Sequence, residues 1–290
     1  MRFLDHFVLV ARSIADARKC YTRMGFNVAP DGVHPFGTHN ANMYFHAGAM
    51  IETLAVENQA KYKMAIESGN TFVKNDAAFR NANGEHGFSH IVFTSINADI
   101  DHKKFSGLGF SGGDIVSFSR QFSQPDGKVE TVAAKLCFAT HPKSHCGYYF
   151  TCEDIIVPEI DRSSLLEHEN GALGPNHAIS CSNKPSEYFN FLKSVVDPNK
   201  VQNHGESVEC EFPNGRALIV TPQVLEQEFG MAHTNFGTDL IHRGLVFGVD
   251  DLRKTEALFA RNEIPFMQCN DRIVAQPEPQ NGVFFAFEQS

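Results

Sequence analysis

The chain has 290 residues, with 25 Lys plus Arg against 34 Asp plus Glu and a formal charge of −9. It has no basic run, which argues against nucleic acid or an anionic membrane as partner, and no stretch approaches the roughly 18–20 apolar residues of a membrane span. Seven scattered cysteines without a Cys-x-x-Cys suit free thiols in a reducing compartment, so a cytoplasmic protein without disulfides is expected.

Four times a histidine heads an apolar, strand-like run: His6, His90, His177 and His242. Each run leads into a helix-like stretch and then into more strands, so the chain reads as an internal repeat. The first unit opens with a strand over 2–10. The two-residue period puts His6, Val8 and Val10 on one face and Phe7 and Leu9 on the other. No signal peptide is expected, because Arg2 and Asp5 flank only this short run. Ser13 caps a helix, with Asp16 three residues on; Ala17, Cys20, Tyr21 and Met24 fall at helical spacing. Gly25 ends that helix, and a new strand is expected from Phe26-Asn27-Val28. Strands over 38–45 and 50–56 complete the unit.

Residues 57–85 are polar and predict one or two short helices able to cover a site. The second unit has a strand over 88–94, a helix over 97–106, a hairpin of 116–122 and 128–138 around Pro125-Asp126-Gly127, and a strand over 148–152. Residues 155–175 read as the boundary between halves. The third unit runs from His177 through a helix entered at Pro185 to a hairpin at Asn214-Gly215 and a strand over 217–221. The fourth runs from His242 through a helix over 250–262 to strands over 272–275 and 283–287. The expected class is α+β: four tandem βαβββ modules. Each is too small to bury its own sheet face, so they pair into two domains with curved mixed sheets. The expected division is a first domain over 1–154, a linker over 155–175 and a second domain over 176–290. Paired modules leave exposed strand edges, which allow a homodimer.

The phrase Leu4-Asp5-His6-Phe7-Val8-Leu9-Val10, the Gly25-Phe26 strand start, Gly37-Thr38-His39-Asn40-Ala41 and Ile51-Glu52-Thr53-Leu54 together resemble the vicinal oxygen chelate superfamily. This is the glyoxalase/bleomycin resistance/extradiol dioxygenase fold, and the likeness is to its glyoxalase-like domain proteins in particular. The resemblance implies a divalent metal in the cup of a paired module, chelated by adjacent oxygens of a small-molecule substrate. Lyases, isomerases, dioxygenases and metal-free binding proteins share that plan, so the fold does not choose the chemistry.

By module logic His6 pairs with Glu52, 46 residues on, and His90 takes the place of His6 in the second module. With Glu153 this gives a candidate metal set of mixed N and O donors, suited to Zn²⁺, Fe²⁺, Ni²⁺ or Mn²⁺. A carboxylate inside the apolar run at Glu52 is costly unless paired or bound to a metal. The second candidate set is His177, His242 and Glu288, the last two again 46 residues apart, with Thr221 in the fourth place. Against it, a ligand glutamate lies four residues after a turn glycine in such modules. Gly48 to Glu52 fits; Gly282 and Gly147 lead instead to Ala286 and Thr151. No histidine or tyrosine lies within 267–287, where ring-cleaving enzymes of this plan carry both. His39 is a candidate general base and Asn40 a candidate substrate ligand; their strand faces differ, and one of the two lines the cup. Arg120 can bind an anionic group. Three functions follow: a metal-dependent glyoxalase-like lyase or isomerase built on His6, Glu52 and His90, a metal-free small-molecule binding protein, and an extradiol-type dioxygenase in the second half.

Overall fold

A computed structural model describes residues 1–46, 49–123, 129–231, 239–275 and 283–290. The turn at Pro125-Asp126-Gly127 and the glycines Gly48 and Gly282 lie outside them. The first unit comprises β1 (Leu4–Val10), α1 (Ile14–Arg23), β2 (Gly32–Val33), β3 (Thr38–Met43) and β4 (Met50–Val56). Helices α2 (Gln59–Glu67) and α3 (Thr71–Asn83) connect it to β5 (Gly87–Thr94), α4 (Ala98–Gly107), β6 (Val116–Ser123), β7 (Val129–Ala139) and β8 (Tyr148–Ile156). The second half holds β9 (Ala172–Cys181), α5 (Phe189–Val195), β10 (Val201–Asn203), β11 (Ser207–Phe212), β12 (Gly215–Val220) and α6 (Pro222–Phe229). It closes with β13 (Ile241–Val249), α7 (Leu252–Arg261), β14 (Phe266–Cys269), β15 (Arg272–Ala275) and β16 (Phe284–Gln289). The class is mixed α+β with one large mixed sheet, as the strand and helix patterning implies.

The same pairing recurs in each quarter of the chain. The opening strand lies parallel to the closing one: β1 to β4, β5 to β8, β9 to β12 and β13 to β16. The opening strands meet antiparallel, β1 with β5 and β9 with β13, and the pair His242 and Phe88 joins β13 to β5 across the middle. Alternation along β1 decides which residues go where. Phe7 and Leu9 enter the central core with α1, α4, α5 and α7, while Val8 enters a smaller cluster on the opposite face. Both halves contribute to that central core; Phe26 packs on Phe247 and Phe285 with centroids 5.2 and 5.8 Å apart.

Ser13 caps α1, its side chain accepting from the Asp16 N–H, and Ala17, Cys20 and Tyr21 are buried. The strand expected from Phe26 begins only at Gly32. Arg18 explains the delay: its guanidinium donates to the Val28 and Ala29 carbonyls at 2.7 Å each, replacing ladder partners. Helix α6 has no counterpart in the sequence reading, although Thr221 caps it and Pro222 opens it.

On the face away from the helices each half forms a concavity. In the second half it is filled: Leu225 and Phe229 of α6 pack with Ile179, Val246, Phe284 and Ala286. The first half stays open inside. Its strands run β2-β3-β4-β1-β5-β8-β7-β6 and curl until the two edges face each other, with His34 edge-on to Phe118 at 5.7 Å. Helices α2 and α3 cover one end. Tyr62 and Phe72 enter the apolar lining, and Arg80, oriented by Asp76 of the same helix at 2.8 Å, pins α3 through the Ala11 and Leu54 carbonyls at 3.3 and 3.2 Å. Among the described residues no helix is long and apolar enough to cross a membrane.

Candidate functional site

Glu52 lies on the central strand β4, 6% exposed, with its side chain in the first-half cup. Asn40 Nδ2 donates to its Oε1 at 2.5 Å. His34 Nε2 lies 3.6 Å from the same oxygen, and His6 Nε2 lies 3.7 Å from Oε2. Both carboxylate oxygens are therefore addressed by nitrogen, and the burial cost of the charge is met inside the cup. Phenyl rings of Phe36, Phe72, Phe118 and Phe150 line the inner cavity of about 130 Å³. A vestibule of about 350 Å³ continues outward past Arg120, Asp154 and Arg162.

His6 is hydrogen-bonded to Asp5 through Nδ1, which leaves Nε2 facing Glu52. Burial works against its protonation, but the Asp5 bond and the charges of Asp5, Glu52 and Asp154 win and raise its pKa above the ordinary value. His34 goes the other way. Burial dominates, Arg120 adds to it against the pull of Glu52, and its pKa falls to about 4. Asp154 is raised by burial and then by Asp5. The cup thus holds an imidazolium-prone and a neutral imidazole on either side of one carboxylate.

His90 lies on the same sheet face, opposite Val8, which itself lies beside Glu52. It is fully buried; Nδ1 is bonded to Ser89 Oγ at 2.8 Å and Nε2 has no partner. Phe72 stacks on it at 5.7 Å, and Phe150 is edge-on to both His90 and His6 at 5.4 and 5.5 Å. Among the described residues no three His, Cys, Asp or Glu side chains are gathered closely enough to hold an ion. The donors match a divalent ion in kind all the same. Both histidines are anchored through Nδ1, the arrangement that presents Nε2 to a metal, and the orphaned His90 nitrogen is an unmet buried donor or acceptor.

Several expected site residues lie elsewhere. Glu153 is not in the cup: it points to the helix face and accepts from the Ala98 N–H at 2.8 Å, at the start of α4. The register shows why. Met50 is opposite His6 and Glu52 two residues later; Tyr148 is opposite His90, so the counterpart of Glu52 is Phe150. His39 also faces away, with Nδ1 3.5 Å from Glu57, whereas Asn40 and Asn42 line the cup. Asn40 holds Glu52 and so acts as a positioning residue. Arg120 does line the cup and vestibule.

The second set is not assembled. His177 Nε2 meets Glu288 at 3.1 Å, but Arg272 Nε holds the other Glu288 oxygen at 2.8 Å. His242 is apart from both, bonded to Ser180 Oγ at 2.8 Å and to the Tyr148 carbonyl at 3.1 Å. The counterpart of His177 on β13 is Gly244, since Ile179 pairs with Gly244 as His177 pairs with Val246. His242 is thus two residues too early, and Glu288 two residues beyond the ligand position at Ala286; each step of two is about 7 Å.

Asp5, His34 and Asp154 also line the cup, and no sequence motif marks them. Asp5 adjoins His6 and by alternation belongs on the other face; a register irregularity between Leu4 and His6 lets it line the cup. His34 lies in a Gly- and Pro-flanked segment with no period to place it.

A family described as "Glyoxalase-like domain" matches residues 4–196. No curated protein matches. Among solved structures, a hypothetical protein from Staphylococcus aureus is similar with a TM-score of 0.65 and 12% identity over 100% of both chains. A triple mutant of 4-hydroxymandelate synthase from Streptomyces coelicolor has a TM-score of 0.59 and 11% identity, covering 99% of this chain and 92% of that one. A xylose isomerase-like TIM barrel/4-hydroxyphenylpyruvate dioxygenase fusion protein gives 0.52 and 11%, over 99% of this chain and 48% of the other. At such identities the likeness is one of fold.

Proposed function

Because the chain belongs to the Glyoxalase-like domain family, we propose that its first-half cup is the active site of a lyase or isomerase that moves a proton on a small oxygenated substrate. The observation that carries the reading is Glu52, a buried carboxylate with His6 Nε2 and His34 Nε2 on its two oxygens in a phenyl-lined cavity. A carbon acid next to a carbonyl suits this arrangement. Glu52 takes and returns the proton, and Asn40 holds the carboxylate in place throughout. Protonated His6, kept so by Asp5, donates from Nε2 toward a developing oxyanion. His34 stays neutral and can relay a proton. Phe36, Phe72, Phe118 and Phe150 exclude water.

The residues that would hold a divalent metal are His6, Glu52 and His90; with an ion there His6 Nε2 would be an unprotonated ligand, and the ion would replace the imidazolium as the group facing the oxyanion. Bound there, the ion would polarise adjacent substrate oxygens as a Lewis acid. Zinc, iron, nickel and manganese all suit two imidazoles and a carboxylate. A metal-free binding protein is the second reading, favoured by Phe150 in the place of a second carboxylate. Metal analysis of protein purified without a metal-affinity tag tests the proposal. One equivalent of metal, reduced by Glu52→Gln at unchanged fold and accompanied by loss of turnover, supports it. Metal-free protein without turnover on any carbon acid supports the binding reading.

A further inference from the structure

Arg120 is the one cationic side chain common to cup and vestibule among the described residues. It sits on edge strand β6, two residues from Phe118, and faces β2 across the opening. The backbone opposite is shaped to receive it. A Cβ on Gly32 would lie 2.4 Å from Arg120 Nη1 and 2.5 Å from Asn40 Oδ1, so only glycine leaves room for the guanidinium at that spot. The φ of Gly32 is not in the left-handed region, so backbone strain does not require glycine here; the close approach does.

The guanidinium has no carboxylate within ion-pair distance and no hydrogen bond among the described residues, although Asp5, Glu52 and Asp154 line the same cavity. Glu52 is occupied by Asn40 and the two histidines, and Asp5 by His6. A guanidinium with its N–H donors in a fixed fork thus lines the cavity. In the same cup of about 130 Å³, four phenyl rings with Leu136 and Ala134 form an apolar wall opposite the polar residues, in a volume close to the roughly 150 Å³ of a cavity that takes up benzene.

We infer that the site takes a small carboxylate with an apolar body of about ring size, its carboxylate paired with Arg120 and its body among the phenylalanines. Arg120 and Gly32 then form a carboxylate clamp that sets substrate class. This rests on the first-half cup being the ligand site, but not on Glu52 chemistry or on a metal.

Calorimetry with phenylacetate and its neutral isostere phenylacetamide tests it, in the presence and absence of a chelator so that binding to an ion is separated from binding to arginine. The expected result is phenylacetate binding at least about tenfold tighter than phenylacetamide, with or without chelator, the size of one charge-assisted pair. Arg120→Gln should abolish that preference and Arg120→Lys retain part of it. Gly32→Ala, whose methyl would meet both the guanidinium and Asn40 Oδ1, should lower phenylacetate affinity more than phenylacetamide affinity and so reduce the preference. Equal affinity for the two probes, no binding of phenylacetate at millimolar concentration, or an Arg120→Gln protein that keeps the preference overturns the clamp. Loss of turnover in Glu52→Gln with the preference intact leaves the clamp standing whatever becomes of the proposed reaction.

Discussion

His242→Ala should destabilise the protein strongly and leave the first-half cup working. His242 is 2% exposed where β13 meets β5, its ring 4.9 Å from Phe88 and 5.1 Å from Tyr149. Truncation removes one hydrogen bond each from Ser180 Oγ, which keeps Tyr149, and from the Tyr148 carbonyl, at up to about 1–3 kcal/mol for a buried group left unpaired. It also leaves a ring-sized void, and aromatic truncations in cores cost about 3–5 kcal/mol. Backbone relaxation and water entry offset part of the sum, so a loss of about 4 kcal/mol is expected. Urea titration should show a lower midpoint at an unchanged slope, with phenylacetate affinity intact under native conditions. A loss below about 1 kcal/mol, or an unchanged midpoint with metal binding or turnover gone, would refute the reasoning and return His242 to the list of ligands.

Other outcomes follow from the same geometry. Arg80→Ala leaves Asp76 buried without its cation, and a loss of about 3–5 kcal/mol is expected by denaturant titration; Arg80→Lys should recover little, because the Ala11 and Leu54 carbonyls need the fork. Acid should unfold the protein early. His34 and His242 have folded pKa values of about 4 against 6.5 unfolded, so their contribution is complete above pH 6.5 and is lost as pH falls from there toward 4; a midpoint of unfolding that does not move over that window contradicts their burial as neutral rings. Glu288 loses its contribution in the same direction but in a lower window: burial works against its charge, yet His177 and Arg272 hold its pKa at about 2, so its contribution is present above pH 4.5 and lost only as pH falls toward 2. Glu153→Gln should cost about 1 kcal/mol through α4 and leave metal content and ligand affinity unchanged; loss of metal would restore Glu153 as a ligand.

Much of the fold is legible in the sequence because alternation and capping are local. His6, Val8 and Val10 share a face by the two-residue period, and Ser13 caps α1. The pairing of His6 with Glu52 is legible for the same reason: an acid inside an apolar strand needs a partner. The remaining site residues depend on register, which a sequence does not display. The register of β8 on β5 puts Phe150, one residue before the Thr151 counted from Gly147, at the ligand position, so Phe150 and Asp154 face the cup and Glu153 the helix face. The equal spacing of His6 to Glu52 and His242 to Glu288 is misleading because both members of the second pair are shifted two residues relative to Gly244 and Ala286. His34 reaches Glu52 from a segment without periodicity, past β3 from the edge strand β2.

The most direct test of the account sets the two glutamates against each other. Wild type, Glu52→Gln and Glu288→Gln are incubated in deuterated buffer with a panel of small carbonyl compounds that bear an exchangeable α-hydrogen. Deuterium incorporation is followed by NMR, at a temperature where all three remain folded. The account predicts exchange by wild type and by Glu288→Gln, and a drop of about 10²- to 10⁴-fold in Glu52→Gln, the range of a general base. Exchange that survives in Glu52→Gln and disappears in Glu288→Gln would contradict it and place the reactive site in the second half.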